Sequence, residues 1–281
     1  MILLKPGLYL ITSFIALLVL AVPFFLVQAS APFWASAGIM VLTGTEWFPY
    51  EMLFGMLPAI IGSTWAILIA LFIAIPCGVA TAIVTTELVS SSLASATRMG
   101  MEVLAAIPSI VYGLIGLWLL LPLLQASFDL LSGHSLLAAG LILALMILPL
   151  ITLMSMDALK LVSSTQREAG MSLGLSWEAL LFRVLLPQAW PAIRGGILLA
   201  MGRALGETMA VMLVVGSLDR MPEPIMNVLQ PAQTLTSRIG REIGEAAFGS
   251  IHFSALMACG LLLALIGLSI SLFAHTRVVK A

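Results

Sequence analysis

IRGGILLAMGRALGETMAVMLVVG, residues 193–216, is the stretch of this chain that decides its fold class. A bilayer is crossed by about 20 predominantly apolar residues, and this stretch qualifies although it holds Arg203 near its midpoint and Glu207 four residues later. An arginine at the centre of a spanning helix costs about 2.5–3.5 kcal/mol on insertion scales, so such residues mostly face a bundle interior or a polar path. We therefore expect a helical membrane protein with a polar group in its interior.

The spacing of Arg203 and Glu207 predicts an ion pair, because residues four apart lie on the same face of a helix. Two interpretations remain open. The pair marks the path of a polar solute, or it clamps two helices together. Gly202, Gly206 and Ala210 form a stripe of small residues about 100° away, which predicts close packing of this helix against a neighbour.

The composition places the whole chain in the membrane. It is 61% hydrophobic and 9% charged, whereas soluble domains carry about 25% charged residues. The net charge of -1 excludes the strongly basic surface of a nucleic-acid-binding protein. Cys77 and Cys259 lie in apolar segments and are interpreted as packing residues, and the three histidines are too scattered for a metal motif. We expect no metal and no cofactor.

Apolar runs of about 20 residues predict six spans within a single transmembrane domain, residues 1–281. The first resembles a signal peptide with a cleavage site at residues 29–31, but its apolar run is longer than the 7–15 residues of a signal sequence. An uncleaved span is therefore favoured. The predicted spans are 8–28, 57–84, 103–124, 136–157, 191–216 and 252–274.

Lysine and arginine fix the expected orientation, since they are enriched in cytoplasmic loops. With both termini in the cytoplasm, the loop 29–56, which has no lysine or arginine, lies outside. The loop 217–251 also lies outside, and its three arginines weaken the bias. The cytoplasmic side then holds Lys5, Arg98, Lys160, Arg167, Arg183, Arg277 and Lys280.

The loop 158–190 is predicted to be structured. Thr165 and Glu168 match a capping box, in which each side chain accepts from a backbone amide of the other residue. The helix that follows should stop near Gly174, because glycine tolerates the left-handed conformation at a helix end. A second short helix is expected over residues 176–187. Two short helices at a sharp angle form a rigid element suited to docking a cytoplasmic partner.

The same loop resembles the EAA loop of bacterial ABC importer permeases. Glu168, Ala169 and Gly170 are followed by Gly174 and then by Leu186-Pro187, with Gly170 standing where the family has a second alanine. The resemblance implies an ABC importer type I permease, and it implies that these residues couple the chain to an ATPase.

Three further segments resemble phosphate-importer permeases of the Pst type, and the PstC branch more than PstA. They are Gly202-Arg203-Ala204-Leu205-Gly206-Glu207-Thr208, residues 106–114 and residues 42–47. The implied solute is a phosphate-like anion, with phosphonate, sulfate and molybdate as alternatives. The resemblance also implies a bacterial inner-membrane location.

Partners are implied because the chain lacks the Gly-x-x-x-x-Gly-Lys-[Ser/Thr] loop that binds nucleotide phosphates. If the chain is an ABC permease, as the resemblance implies, the ATP-binding subunit is a separate cytoplasmic protein docked on 158–190. The resemblance further implies a homologous second permease subunit and an extracytoplasmic anion-binding protein. The loop 217–251 is either the contact for that binding protein or a plain solvated loop.

Two other classes compete with this hypothesis. Residues 170–174 match the Gly-x-Ser-x-Gly pattern of serine hydrolases, which needs a strand-turn-helix setting with His and acid partners. A stand-alone anion channel or secondary transporter would explain Arg203 and Glu207 but not the docking character of 158–190. We therefore expect a transport subunit rather than an enzyme.

Overall fold

Six helices are long and apolar enough to cross a membrane in the computed structural model, which describes the backbone of residues 4–278 and the side chains of residues 9–272. The prediction of an all-α membrane protein with about six spans is confirmed. The side chains of Lys5, Arg277 and Lys280, used above for orientation, lie outside this described part. The spans are Tyr9–Ala37, Leu57–Leu88, Ser109–Phe128, Leu136–Lys160, Trp177–Gly206 and Ile251–Leu272.

The second and fourth spans form the centre of the bundle. They are α2 (Leu57–Ile83), which ends in a π-helical turn, Val84–Leu88, and α6 (Leu136–Lys160). The first span, α1 (Leu4–Ala37), packs against the last, α12 (Ile251–Val278), at the edge of the bundle. The side chains of α1 are mostly exposed, as expected of a helix that faces lipid.

Small residues bring α2 and α6 into close contact. A Cβ atom placed on Gly78 would lie 2.9 Å from Cγ2 of Ile151, and one placed on Gly140 would lie 2.5 Å from Cγ2 of Ile69. Helices of membrane proteins associate largely by such packing, because lipid offers no hydrophobic driving force between them. The buried small residues of α2 recur every three or four positions and are Ala59, Gly62, Ala66, Ala70, Ala74, Gly78 and Ala82.

The third span, Ser109–Phe128, begins and ends a few residues later than the predicted range 103–124. α3 (Ser91–Ala106) ends before Pro108, because a proline disfavours helical geometry in the residue before it. Ile107 accordingly has an extended ψ of 129°. The helix resumes as α4 (Ser109–Ile115), a π turn over Gly116–Leu120 and α5 (Leu121–Phe128).

The fifth span begins and ends earlier than the predicted 191–216, and the predicted helix end at Pro187 is wrong. The span consists of α8 (Trp177–Leu180), a π turn over Leu181–Leu185, and α9 (Leu186–Gly206). Proline is tolerated there because the π turn readjusts the hydrogen bonds of the backbone around it. The predicted loop 158–190 therefore shrinks to 161–176, which includes α7 (Ser164–Ser172).

The bundle has two ends, one that carries α7 and one that carries a helix called α11. The end with α11, here called the α11 end, is built from short elements. A two-stranded antiparallel hairpin pairs β1 (Trp47–Phe48) with β2 (Leu53–Phe54), and α10 (Met209–Val214) follows the fifth span. α11 (Leu235–Glu242) lies in the loop between the last two spans. The end that carries α7 is called the α7 end.

The predicted loop 217–251 is not wholly solvated, since residues 232–238 are buried within the α11 end. A Cβ atom on Gly62 would lie 2.0 Å from the carbonyl oxygen of Gln233, so this segment packs directly on α2. Its backbone is satisfied inside the protein: the Ala232 amide donates to the Val215 carbonyl at 3.1 Å. Irregular backbone is tolerated at membrane depth only where it is buried in protein in this way.

Candidate functional site

Arg203 lies in the last turn of α9, half-buried at the margin of a cavity of about 790 Å³. The lining is otherwise uncharged and includes Leu150, Gly195 and Leu198, with Gly267 and Ser271 from α12. Gly195 precedes Arg203 on α9, so the cavity extends from Arg203 toward the α7 end. The arrangement places one positive charge on the wall of an open, largely apolar cavity.

Glu207 does not pair with Arg203, and the predicted ion pair is wrong. α9 ends at Gly206, and Glu207 has an extended ψ of 122°, so the two residues no longer share a helical face. Among the described residues, Arg203 forms no ion pair. The Glu207 carboxylate instead accepts a hydrogen bond from the amide of Ala210, at 3.3 Å.

Glu207 faces a second, much smaller space on the α11 side of Arg203. This space of about 10 Å³ has a mostly apolar lining, to which Glu207 and the hydroxyl-bearing residues Ser63, Thr234 and Thr236 add polar groups. It is close to the least volume that holds one water molecule. Arg203 and Glu207 therefore lie at consecutive depths of the bundle, the first beside the open cavity and the second beside a narrow constriction.

The predicted stripe of small residues behaves differently at its two ends. Ala210 is fully buried in the main core. Gly202 and Gly206 are exposed, and a Cβ atom on either would meet nothing within 4 Å. Close packing of these two glycines within this chain is therefore not observed, and their face of α9 is free.

The residues of the EAA-like pattern lie on two different helices, α7 and α9. Glu168 and Ala169 are exposed on α7, whereas Gly170 is buried. A Cβ atom on Gly170 would lie 2.5 Å from Cδ1 of Leu180, so α7 packs closely on α8 at this glycine. Gly174 has a φ of +73°, so the prediction of a glycine end to this helix is confirmed. Leu186 and Pro187 lie in the first turn of α9 instead.

The capping predictions for this region had mixed outcomes. The capping box at Thr165 is wrong, because α7 already begins at Ser164 with Ser163 as its N-cap and without a side-chain hydrogen bond. Ser176 does cap α8, since its side chain accepts from the amide of Ala179 at 3.3 Å. Ser and Thr are both favoured at the N-cap of a helix, so the sequence alone does not decide whether α7 starts after Ser163 or after Thr165.

The serine of the hydrolase-like pattern lies on a helix. Ser172 belongs to α7, and its hydroxyl donates to the carbonyl of Glu168 at 2.8 Å. The strand-turn-helix setting that the pattern requires is not present at this point of the described chain. Within the described residues, no group of three or more His, Cys, Asp and Glu side chains could hold a metal ion, and both cysteines are free.

A buried polar cluster at the α11 end was missed by the sequence reasoning. Arg238 is fully buried, pairs with Asp219 and lies 4.0 Å above the ring of Trp47. Glu242 accepts a hydrogen bond from Nε1 of Trp47 at 2.9 Å and lies 2.8 Å from Nε2 of His252. Arg241 joins both carboxylates, Asp219 at 2.9 Å and Glu242 at 3.2 Å.

The available signal for this cluster was the capping pattern of Thr234 and Ser237. These residues form a capping box in which each side chain accepts from the other's backbone. It marks an ordered helix inside a stretch that hydropathy assigns to solvent. The cluster ties the hairpin, α11 and α12 together, so the α11 end is an organised part of the fold.

The architecture is that of the membrane permease of an ABC importer. The chain superimposes on a chain of the MetNI methionine ABC transporter in an inward-facing conformation with a TM-score of 0.60, 16% identity and coverage of 84% of this chain and 99% of that chain. A chain of a bacterial ABC transporter involved in alginate import gives a TM-score of 0.60, 15% identity and coverage of 99% and 98%. The chain belongs to the family of binding-protein-dependent transport system inner membrane components, which matches residues 74–279.

Sequence relatives are consistent with this family. The phosphate transport system permease protein PstC of Mesorhizobium japonicum is 37% identical, over 80% of this chain and 74% of its own. PstC of Pasteurella multocida is 35% identical, over 95% and 89%. The probable ABC transporter permease protein YqgH of Bacillus subtilis is 36% identical, over 85% and 75%.

Proposed function

We propose that this chain is the permease subunit that imports inorganic phosphate in an ATP-driven ABC importer. The observation that carries the proposal is the single positive charge of Arg203 beside the open cavity, in a chain whose relatives include phosphate permeases. Phosphonate, sulfate and molybdate have the same charge sign and similar oxygen geometry, and they are the alternative solutes.

Arg203 and Glu207 act in sequence along the path of the anion. Arg203 attracts the anion into a low-dielectric region, where one charge has a large effect. Glu207, at the neighbouring depth, opposes tight binding and so favours release. Conduction needs sites that are favourable to enter and easy to leave.

The exposed surface of α7 docks the ATP-binding subunit. Glu168 and Ala169 project from this helix, and Gly174 ends it with a sharp turn toward α8. Gly170 packs the helix onto Leu180, while Leu186 and Pro187 begin the part of the fifth span that leads to Arg203. A displacement of α7 therefore has a direct route into the helix that carries the cationic group.

The complete importer contains further subunits that this function requires. A homologous second permease subunit forms the other half of the path, and an extracytoplasmic anion-binding protein delivers the solute. The protein resides in the bacterial inner membrane with both termini in the cytoplasm. The α7 end is then cytoplasmic and the α11 end faces outward.

Reconstitution tests the solute and the energy source. Liposomes that hold the two permease subunits and the ATP-binding subunit, supplied with the binding protein, should take up radioactive phosphate only when ATP is present inside. Excess unlabelled phosphate should compete more effectively than sulfate or molybdate. Uptake without ATP or the ATP-binding subunit would identify a channel or a secondary transporter, and stronger competition by another oxyanion would reassign the solute.

Thiol labelling tests the orientation. Thr165 and Glu245 are both exposed, at the α7 and α11 ends respectively. In a chain whose Cys77 and Cys259 are replaced by serine, we expect Glu245→Cys, and not Thr165→Cys, to react with a membrane-impermeant maleimide on intact cells. Permeabilised cells should label both variants equally, which controls for reactivity. Labelling of Thr165→Cys in intact cells would invert the proposed topology.

A further inference from the structure

Arg167 points into the bundle although it is adjacent to Glu168, which points out of it. The side chain of Arg167 is 26% exposed, whereas Glu168 is exposed to solvent. Consecutive residues of an α-helix point about 100° apart, so one turn of α7 can offer one residue to a partner and the next to the bundle. The two neighbours therefore have different surroundings and different roles.

The guanidinium of Arg167 makes three hydrogen bonds. One nitrogen donates to Oε2 of Glu87 at 2.6 Å, and the other donates to Oε1 of Glu87 at 3.0 Å and to the carbonyl of Leu159 at 2.9 Å. The Glu87 side chain is only 7% exposed. Bidentate, charge-assisted bonds of this kind are about twice as strong as neutral ones and fix orientation as well as distance.

The two acceptors belong to the ends of two different spans. Glu87 lies in the π turn that ends the second span, and Leu159 lies in the last turn of the fourth. These spans share the close interface described above. One side chain thus fastens α7 to the central helix pair of the bundle.

Apolar packing contributes little to holding α7 in place. Of its residues, which are all described, Gly170 is the buried one. Burial of a glycine removes little apolar surface from water, so its contribution to the attachment is small. The bonds of Arg167 are consequently the main side-chain attachment of this helix to the bundle.

We propose that Arg167 is the positioning residue that passes displacement of α7 to the second span, with Glu87 as the carboxylate that receives it. The inference rests on the proposed function, in which the ATP-binding subunit moves α7. Without these bonds, α7 would still present Glu168 to that subunit and would still contact the fifth span through Gly170 on Leu180, but no side-chain bond would join it to the second span.

The experiment measures ATP hydrolysis and phosphate uptake together, in the reconstituted complete importer. For Arg167→Gln we expect a complex that still assembles and hydrolyses ATP, with at least ten-fold less uptake and at least ten-fold more ATP consumed per phosphate. Glu87→Gln should show the same loss of uptake per ATP as Arg167→Gln. Arg167→Lys should lie between the wild type and Arg167→Gln. The charge-exchanged Arg167→Glu/Glu87→Arg variant should recover part of the coupling. Arg183→Gln, an exposed arginine at the same end, is the matched control.

Three results separate the possibilities. If the ratio of ATP to phosphate stays at the wild-type value in Arg167→Gln and Glu87→Gln, the inference is wrong. A parallel loss of assembly and uptake, with a normal ratio in the complexes that do form, also overturns it, because that pattern describes a purely structural ion pair. Failure of the wild-type complex to import phosphate with ATP would instead refute the proposed function.

Discussion

Replacement of Arg203 by glutamine is expected to reduce phosphate uptake by roughly two orders of magnitude while the importer still assembles. Removal of one donor from an enzyme's oxyanion hole costs about 2.7–4 kcal/mol, and we take this as the scale for removing the cationic group from the anion path. Arg203 forms no ion pair among the described residues, so its loss leaves no opposite charge stranded. Uptake by proteoliposomes, normalised to the amount of assembled complex, measures the effect.

Arg194→Gln is the matched control, because Arg194 lies on the same helix but is exposed and rests over Trp190 at 5.2 Å. It should transport at the wild-type rate. Glu207→Gln should alter uptake with less effect on assembly, since an amide oxygen can still accept from Ala210. Normal uptake by Arg203→Gln/Glu207→Gln would show that neither charge serves the anion, and the proposed path would be wrong.

Replacement of Arg238 by methionine is expected to lower the free energy of unfolding by about 3 kcal/mol. Removal of one partner from a buried ion pair usually costs about 3–5 kcal/mol, because the other charge remains buried. The lower end applies because Asp219 keeps its bond to Arg241 at 2.9 Å. Thermal unfolding of the purified chain in detergent measures the change.

Arg220→Met controls for the loss of a positive charge in the same loop, since Arg220 is exposed. It should unfold at the wild-type temperature. Arg238→Met/Asp219→Asn should regain part of the stability, because neutralising both members removes the stranded charge. Wild-type stability of Arg238→Met alone would mean that the cluster does not hold the α11 end together.

The number and class of the spans were predictable because lipid imposes a length and an apolarity on every spanning helix. The boundaries were less accessible. Pro187 looks like a helix end in sequence, yet a π turn lets the fifth span pass through it. Pro108 does break a helix, at the place where the apolar run gives no sign of a break. The outcome at each proline depends on the packing around it, which a hydropathy window does not contain.

The candidate site was only partly accessible for the same reason. Arg203 stands out as a charge in an apolar run, and Gly174 as a glycine after a short helix. The contacts of Arg203 could not be predicted from residue spacing, because the helix ends at Gly206, one residue before Glu207. Residues 232–238 are mostly polar, and the loop that contains them was interpreted as either a contact for a binding protein or a plain solvated loop. They are buried because capping and ion pairs within the α11 end satisfy their polar groups.

The alanine and glycine stripe of α2 has a mechanical consequence. The small residues of α2 let side chains of α6 such as Ile151 pack directly against its backbone, so the second and fourth spans form one closely packed rod. Glu87 and Gly62 lie on that rod about 37 Å apart, at a rise of about 1.5 Å per residue. Gly62 bears directly on the carbonyl of Gln233. On the proposed coupling, a tilt of the rod at Glu87 is expected to shift the segment that carries Gln233 and Thr234, beside Glu207.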